Sequence, residues 1–402
     1  MTDISKNGSE VKTEPQIKDI KMTREEYIEK ACTHFKELLE EQLERVDRMK
    51  AAEKEDKAQK DDKIIIGLID GDGIGPIIMR EAGRLLEKLL KDDIDAGRVE
   101  LRNIEGLTIE NRMALGRSVP EDVLEEIRKC TVLLKGPTAT PKGGTMESAN
   151  VTLRRELDLY ANVRPVSVPE LGIDWTFFRE NTEGEYVLGS RGIDLGEDMA
   201  VDFKVITDPG TERIARAAFD FADKNGIDRV SVVTKANIMK KTDGKFSSVC
   251  RRVADEYPGI KTDEWYVDIM AANLVNPSLR SQFRVFLLPN LYGDILTDEA
   301  AEIQGGVGTG GSANLGDRYA MFEAIHGTAP RMIEDGLQDY VNPMSIFKAC
   351  ELMLRHMGMA VQADRLGGAL DKALSPECPY KITGFPDGSR TEELVGYIYK
   401  QL

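Results

Sequence analysis

Asp294 and Asp298, in the run Asn290-Leu-Tyr-Gly-Asp-Ile-Leu-Thr-Asp298, stand four residues apart, the spacing that puts two side chains on one helix face. Adjacent carboxylates repel one another. A hard divalent cation bound through their oxygens, with water or substrate oxygens completing its shell, relieves that repulsion. A lone Asp-x-x-x-Asp is also what a solvated helix face looks like, so the reading depends on its company. Arg154, Arg164 and Arg179 each lie in or beside an apolar run. Buried guanidinium groups demand partners, because isolated buried charge is very costly. Each alone would serve in a structural ion pair. Three around one polar stretch suggest a pocket for a polycarboxylate, since arginine grips a carboxylate through two parallel bonds.

The elements that must position these groups read as α/β. Lys63-Ile-Ile-Ile-Gly-Leu-Ile69 is a β-branched run suited to a buried parallel strand, and Thr131 to Leu134 and Val285 to Leu288 are others. The first runs into Gly71-Asp-Gly-Ile-Gly-Pro76 and a helix from Ile77 to Leu90. That is the strand, glycine turn and helix of a nucleotide fold, but Pro76 stands where the third glycine of GxGxxG belongs. A literal GxGxxG at Gly306, Gly308 and Gly311 has no apolar strand leading into it and no helix after it. A standard dinucleotide fold is therefore not expected. Upstream, Thr23 and Glu26 form a capping box, and Tyr27, Phe35, Leu38, Leu39, Leu43, Val46 and Met49 trace an apolar stripe on a helix to about Lys60. That helix reads as an appendage docking on the body or on a partner, behind a polar, disordered start (1 to about 22). His34 within it reads as a surface or packing residue.

The chain has 402 residues, 41% of them hydrophobic, enough for a large core over two domains. A net charge of −16 argues against a nucleic-acid partner, because phosphate binding needs clustered Lys and Arg. Five scattered cysteines without a CxxC suit a reducing compartment. A polar N-terminus and the lack of any ~20-residue apolar segment exclude a signal peptide and a membrane span, so a cytoplasmic, soluble protein is expected.

Taken in order, Gly71-Asp-Gly-Ile-Gly-Pro, Lys135-Gly-Pro, Leu153-Arg-Arg-Glu-Leu-Asp-Leu-Tyr, Arg179-Glu-Asn-Thr-Glu, Lys235-Ala-Asn-Ile-Met-Lys, Asn290-Leu-Tyr-Gly-Asp and His326-Gly-Thr-Ala-Pro resemble the isocitrate/isopropylmalate dehydrogenase family. The resemblance covers about residues 63 to 375. It implies a two-domain α/β fold distinct from a standard Rossmann fold. A large domain of 63–159 and 305–402 would receive an inserted smaller domain of 160–304 carrying the dimer interface, with 1–62 an N-terminal extension. It implies a homodimer with shared active sites, with 189–201 as a candidate subunit clasp.

The chemistry it implies is oxidation of a 2-hydroxy acid followed by loss of the neighbouring carboxylate. Mg2+ or Mn2+ would be held by Asp294, Asp298 and, from the partner subunit, Asp268. Arg154, Arg164 and Arg179 would hold substrate carboxylates. Lys235, also from the partner, and Tyr186 would move protons, which calls for pKa values lowered towards neutrality. Ser148-Ala-Asn150 places polar groups on the substrate's third arm, favouring isocitrate, with homoisocitrate or 3-isopropylmalate as alternatives. Met146 and Glu147 depart from the usual residues of that loop. A non-catalytic regulatory subunit of a heteromeric enzyme is the rival reading, and retention of Asp268, Asp294, Asp298, Lys235 and Tyr186 argues against it. Thr140, His326, Gly327, Thr328, Ala329, Arg331 and Asn342 would bind the nicotinamide cofactor. Arg331 can pair with a 2′-phosphate and offers no acceptor to a ribose diol, which favours NADP over NAD. Met332 stands where a tyrosine is common in NADP enzymes, and Tyr380 is a further candidate contact. His356 reads as a packed helix residue. A phosphate on Ser148 would put a dianion where a substrate carboxylate belongs.

Overall fold

A computed structural model describes residues 22–52, 63–141, 146–189, 191–195, 198–306 and 308–402. The expected disorder of the first residues, the glycines of the 143–144 loop, part of the 189–201 segment and the end of the first helix lie outside the described residues.

Among the described residues, twelve strands follow in chain order: β1 (Ile64–Ile69), β2 (Val99–Asn103), β3 (Val132–Lys135), β4 (Ala161–Val168), β5 (Ile173–Glu180), β6 (Ile193–Asp194), β7 (Ala200–Val201), β8 (Arg229–Thr234), β9 (Lys261–Tyr266), β10 (Val285–Leu288), β11 (Gly311–Leu315) and β12 (Ala320–Ala324). Ten form one sheet in the order β2-β1-β3-β12-β11-β4-β5-β10-β8-β9, and β6 pairs with β7 alone. The strands β2-β1-β3-β12 run parallel, as do β5-β10-β8-β9, while β11 and β4 join the two blocks through antiparallel pairings. The fully buried runs read as parallel strands, Val132 to Lys135 and Val285 to Leu288, are buried along their whole length.

Helices pack both blocks. Ile66, Leu68, Ile78, Leu85, Phe322 and Phe347 belong to the largest apolar cluster. Beneath the second block, Phe177 stacks on Phe286 at 4.4 Å, and the Trp175 ring meets both edge-on. The helix Asn290–Gln304 lays Leu296 and Ala300 on that aromatic cluster. Its burial fixes the helix's rotation, and with it the direction in which Asp294 and Asp298 face.

The N-terminal helix α1 (Arg24–Ala52) begins with the expected capping box: Glu26 Oε2 accepts from Thr23 N–H at 2.6 Å, and Thr23 Oγ1 from Glu26 N–H at 3.3 Å. Its apolar stripe is not buried as a unit. Leu38 is buried, whereas Phe35, Leu39 and Leu43 are exposed, because the face turned to the body also carries the polar His34, Gln42 and Arg45. The helix docks on its own chain. Among the described residues, no helix is long and apolar enough to cross a membrane.

Candidate active site

Arg179, near the end of β5, is 1% exposed and aims at the first turn of the helix Asn290–Gln304. Its Nε and Nη2 donate to Asn290 Oδ1 at 2.9 and 2.6 Å, and Nη1 donates to Asp294 Oδ1. Gly293 makes this approach possible, since a Cβ there would lie 2.5 Å from Arg179 Cγ. Arg164, on β4, donates to Thr297 Oγ1 and Asp298 Oδ1 at 2.8 and 2.9 Å. Arg154, on the helix Ala149–Glu156, donates to Glu323 Oε1 at 3.2 Å. Among the described residues, the Nε groups of Arg154 and Arg164 are buried without a hydrogen-bond partner. Unmet donors of this kind are what an anionic ligand satisfies.

Tyr186 joins this cluster by donating its hydroxyl to Asp294 Oδ2 at 2.8 Å. Burial and the nearby Arg154 charge push Arg179 down to about 10. Burial would raise the Asp294 carboxyl, but the Arg179 charge and the Tyr186 hydroxyl hold it below the usual carboxylate range. The expectation of a lowered Tyr186 pKa is corrected here: burial, then the Asp294 charge it donates to, push the phenol up to about 12. The nearest charge is an anion, and it outweighs the more distant arginines.

Lys235, just after β8, and Asp268, in the helix Val267–Val275 after β9, are brought to each other and not to this cluster. Lys235 Nζ lies 2.5 Å from Asp268 Oδ1, and that bond holds the Asp268 carboxyl below its usual range. Among the described residues, no hydrogen bond or ion pair links either to the arginines, and no three His, Cys, Asp or Glu side chains converge as a metal site. Asp294 and Asp298 are the hard oxygen donors that Mg2+ or Mn2+ prefers. They fit such an ion as two of its ligands, with further oxygens to come from outside this set.

Ser148 precedes the helix Ala149–Glu156 and makes no capping bond, leaving its hydroxyl uncommitted to that helix. Asn150 Oδ1 accepts from Thr138 Oγ1 at 3.1 Å, and Thr140 is exposed. Glu147 is engaged by Arg155 through two bonds of 2.9 Å and by Thr152 at 2.8 Å.

The loop after β12 meets the first glycine turn. Ile74 N–H donates to the Thr328 carbonyl at 3.0 Å, and a Cβ on Gly73, whose φ is +61°, would sit 2.1 Å from that oxygen. The turn's glycines are therefore spent on backbone packing, in keeping with the poor Rossmann fingerprint. His326 Nδ1 lies 3.0 Å from the Gly327 carbonyl, while its Nε2 is buried and unpartnered. Burial pushes the imidazole pKa down, against the hydrogen bond to Gly327, which would raise it. Gly327 is exposed, and Ala329 adopts a left-handed conformation (φ +42°) ahead of the helix Pro330–Glu334, which presents Arg331 to solvent. Asn342 Oδ1 accepts from Met344 N–H at 3.0 Å.

The sequence reading gave no role to several polar groups that shape this site. Lys135 and Glu323 form a buried ion pair of 3.1 Å, and Glu323 bridges Lys135 to Arg154. Against its burial, Lys135 and Arg154 hold the Glu323 carboxyl down at about 2. Asp72 accepts the N–H groups of Ile109 and Ala139, both at 2.7 Å, tying the first turn to two loops. The available signal was a charged residue ending an apolar strand, Lys135 before Gly136-Pro137.

The family model described as isocitrate/isopropylmalate dehydrogenase matches residues 65–395. The chain is 38% identical over 316 residues to an isocitrate dehydrogenase [NADP] of Rickettsia felis, a match covering 76% of this chain and 62% of that protein. It is 36% identical over 337 residues to isocitrate dehydrogenase [NAD] subunit 2 of Schizosaccharomyces pombe, covering 82% and 83% respectively. The fold matches the crystal structure of isocitrate dehydrogenase from Methylococcus capsulatus with a TM-score of 0.74 at 34% identity, over 84% of this chain and 99% of that one. On a match that spans nearly the whole body, and with the motif residues gathered as described, the chain belongs to the isocitrate/isopropylmalate dehydrogenase family.

Proposed function

We propose that the protein oxidises isocitrate to 2-oxoglutarate and carbon dioxide, reducing NADP+ in preference to NAD+. The observation that carries this reading is the pairing of Arg164 with Asp298 and of Arg179 with Asp294, beside Arg154 held by Glu323, with guanidinium donors of Arg154 and Arg164 buried and unmet among the described residues. Three arginines in one pocket suit a substrate with three carboxylates. Ser148 and Asn150, at the start of the helix that carries Arg154, would suit a polar third arm, since facing them with an alkyl group would leave them unsatisfied.

Asp294 and Asp298 would hold a divalent cation, Mg2+ or Mn2+, which when bound supplies Lewis-acid stabilisation of negative charge on the substrate oxygens. Arg154, Arg164 and Arg179 orient the acid. Lys235 takes the hydroxyl proton and Tyr186 returns a proton to carbon after carboxylate loss. In a homodimer, Lys235 and Asp268 of one subunit would complete the site of the other, in keeping with their bonding to each other rather than to the arginine cluster of their own chain. The loop at His326, Gly327, Thr328 and Ala329, with Thr140 and Asn342, receives the cofactor, and Arg331 meets its 2′-phosphate.

The test is initial-rate reduction of NAD+ and NADP+ with isocitrate, homoisocitrate and 3-isopropylmalate in parallel, with Mg2+ and with a chelator. Chelator-sensitive turnover of isocitrate, faster with NADP+, is expected. Turnover of another acid would overturn the roles of Ser148 and Asn150. No turnover by a folded protein would shift the assignment to a regulatory subunit.

A further inference from the structure

Helix α1 lies outside the residues that match the family, yet it grips the segment carrying Tyr186 from both sides. Upstream of Tyr186, Arg45 Nη1 lies 3.1 Å from Glu183 Oε1. Downstream, both oxygens of Glu41 hold the Arg191 guanidinium, at 2.5 and 3.1 Å, and His34 Nε2 lies 3.1 Å from the Arg191 carbonyl. Between these two anchors, Leu38 packs on Val187 and Leu188, the residues that follow Tyr186. Phe35 stacks on Phe203 at 5.1 Å, extending the same contact.

Glu183 is the centre of the upstream anchor. It is fully buried beside a second buried carboxylate, Glu180. Its other side-chain partners are the N–H and hydroxyl of Thr207. Among the described residues, Arg45 is the one cation within 4 Å of it. A buried carboxylate next to another needs such a partner, and removing the partner leaves an uncompensated charge. The backbone of Glu183 is meanwhile tied to the site, because its carbonyl accepts from Asn290 Nδ2 at 3.0 Å, and Asn290 also holds Arg179.

We infer that α1 is a positioning element of the active site: Arg45 through Glu183, and Glu41 through Arg191, hold residues 183–189 on the course that brings the Tyr186 hydroxyl to Asp294. The catalytic half of this inference rests on the reading of Tyr186 as a proton donor. Among the described residues, no hydrogen bond or ion pair from α1 reaches Arg154, Arg164, Arg179, Asp294 or Asp298. Loosening α1 therefore acts directly on the Tyr186 segment and reaches the substrate grip only at one remove, through Glu183 and Asn290 to Arg179, so proton transfer is disturbed more than binding.

The experiment uses the full chain with Arg45→Met, Arg45→Lys, Glu41→Gln and the double variant Arg45→Met/Glu183→Gln. Hydrogen exchange in the unliganded protein reads the docking without any assay of activity. In Arg45→Met, amides of 183–189 should exchange about tenfold faster or more, with β8 unchanged. In steady state, kcat should fall about tenfold or more while the isocitrate KM changes less than about threefold, because small misplacements of a reacting group are costly. Arg45→Lys and the double variant should each recover part of the loss. Glu41→Gln, at an exposed pair, keeps the test open if Arg45→Met does not fold. Unchanged exchange in 183–189 overturns the inference, as does a raised KM with kcat intact. If the wild-type chain turns over none of the acids, the reading of the site fails, and the exchange measurement alone decides the docking.

Discussion

Tyr186 donates its hydroxyl to Asp294 over 2.8 Å, so the residue read as a proton donor and the carboxylate read as a cation ligand share one hydrogen bond. The two roles separate by substitution. Tyr186→Phe should retain Mn2+ binding and lose about 100-fold or more in kcat, the usual scale for a general acid. Asp294→Asn should weaken Mn2+ binding about tenfold or more. Calorimetric titration with Mn2+ alongside steady-state kinetics checks both.

Gly293 lies under Arg179, and a methyl group there would fall 2.5 Å from Arg179 Cγ. Gly293→Ala should therefore push Arg179 off Asn290 and Asp294. Overpacking of this kind costs about 1–3 kcal/mol of stability. Urea denaturation should show a modest loss of that size, together with a kcat/KM reduced far more than stability.

Lys235 and Asp268 pair with each other and, among the described residues, share no hydrogen bond or ion pair with the arginine cluster, which yields a prediction for mixed dimers. Lys235→Met and Asp294→Asn chains should each be inactive alone. Mixed and allowed to exchange subunits, they should regain roughly a quarter of wild-type activity, since half the dimers are mixed and each holds one intact site. If mixing restores nothing although exchange is shown by mass spectrometry, the shared-site reading is wrong.

Arg331 stands exposed on the helix Pro330–Glu334. Replacing it by Asp should lower the ratio of kcat/KM for NADP+ to that for NAD+ by about tenfold or more, by exchanging a phosphate partner for a repelling charge that accepts from a diol. A ratio unmoved by the substitution would take Arg331 out of cofactor choice.

His356, read from the sequence as a packed helix residue, is instead exposed at the end of the helix Met344–His356; one side of its ring still lies 5.5 Å from that of Phe322, and this partial desolvation pushes its pKa down. A base whose folded pKa lies below its unfolded value binds more protons when unfolded. Folding stability is thus lost as pH falls through the unfolded value of about 6.5, and the loss levels off below the depressed folded pKa. His356→Gln lacks this term. Its stability relative to wild type, measured by urea denaturation at pH 7.5 and 5.5, should rise as pH falls.

What could be read from the residues alone was whatever depends on local spacing. The apolar run before Asn290 and the i, i+4 carboxylates placed Asp294 and Asp298 on one helix, and Thr23 with Glu26 marked the start of α1. Pairings between distant strands left no local mark. Lys135 and Glu323 meet because β3 and β12 lie side by side in parallel register, and neither residue announces the other. The buried face of α1 was hidden for a related reason. Its contacts are specific polar pairs, His34 with Arg191 and Arg45 with Glu183, whereas a hydrophobic stripe reports only apolar burial. The Tyr186 phenol turned first on its burial and then on whether a cation or an anion lay nearest, neither of which sequence order encodes.

Of the five cysteines, Cys130, Cys250, Cys350 and Cys378 are buried, and Cys32 alone is exposed, on α1. Burial pushes the Cys130 thiol up to about 11 and raises those of Cys250 and Cys350 further, which withdraws them from alkylation. The native chain thus carries a built-in labelling handle on the helix that braces Tyr186. A maleimide fluorophore should attach at one equivalent per chain, and its polarisation should report undocking of α1 in real time, without any engineered residue.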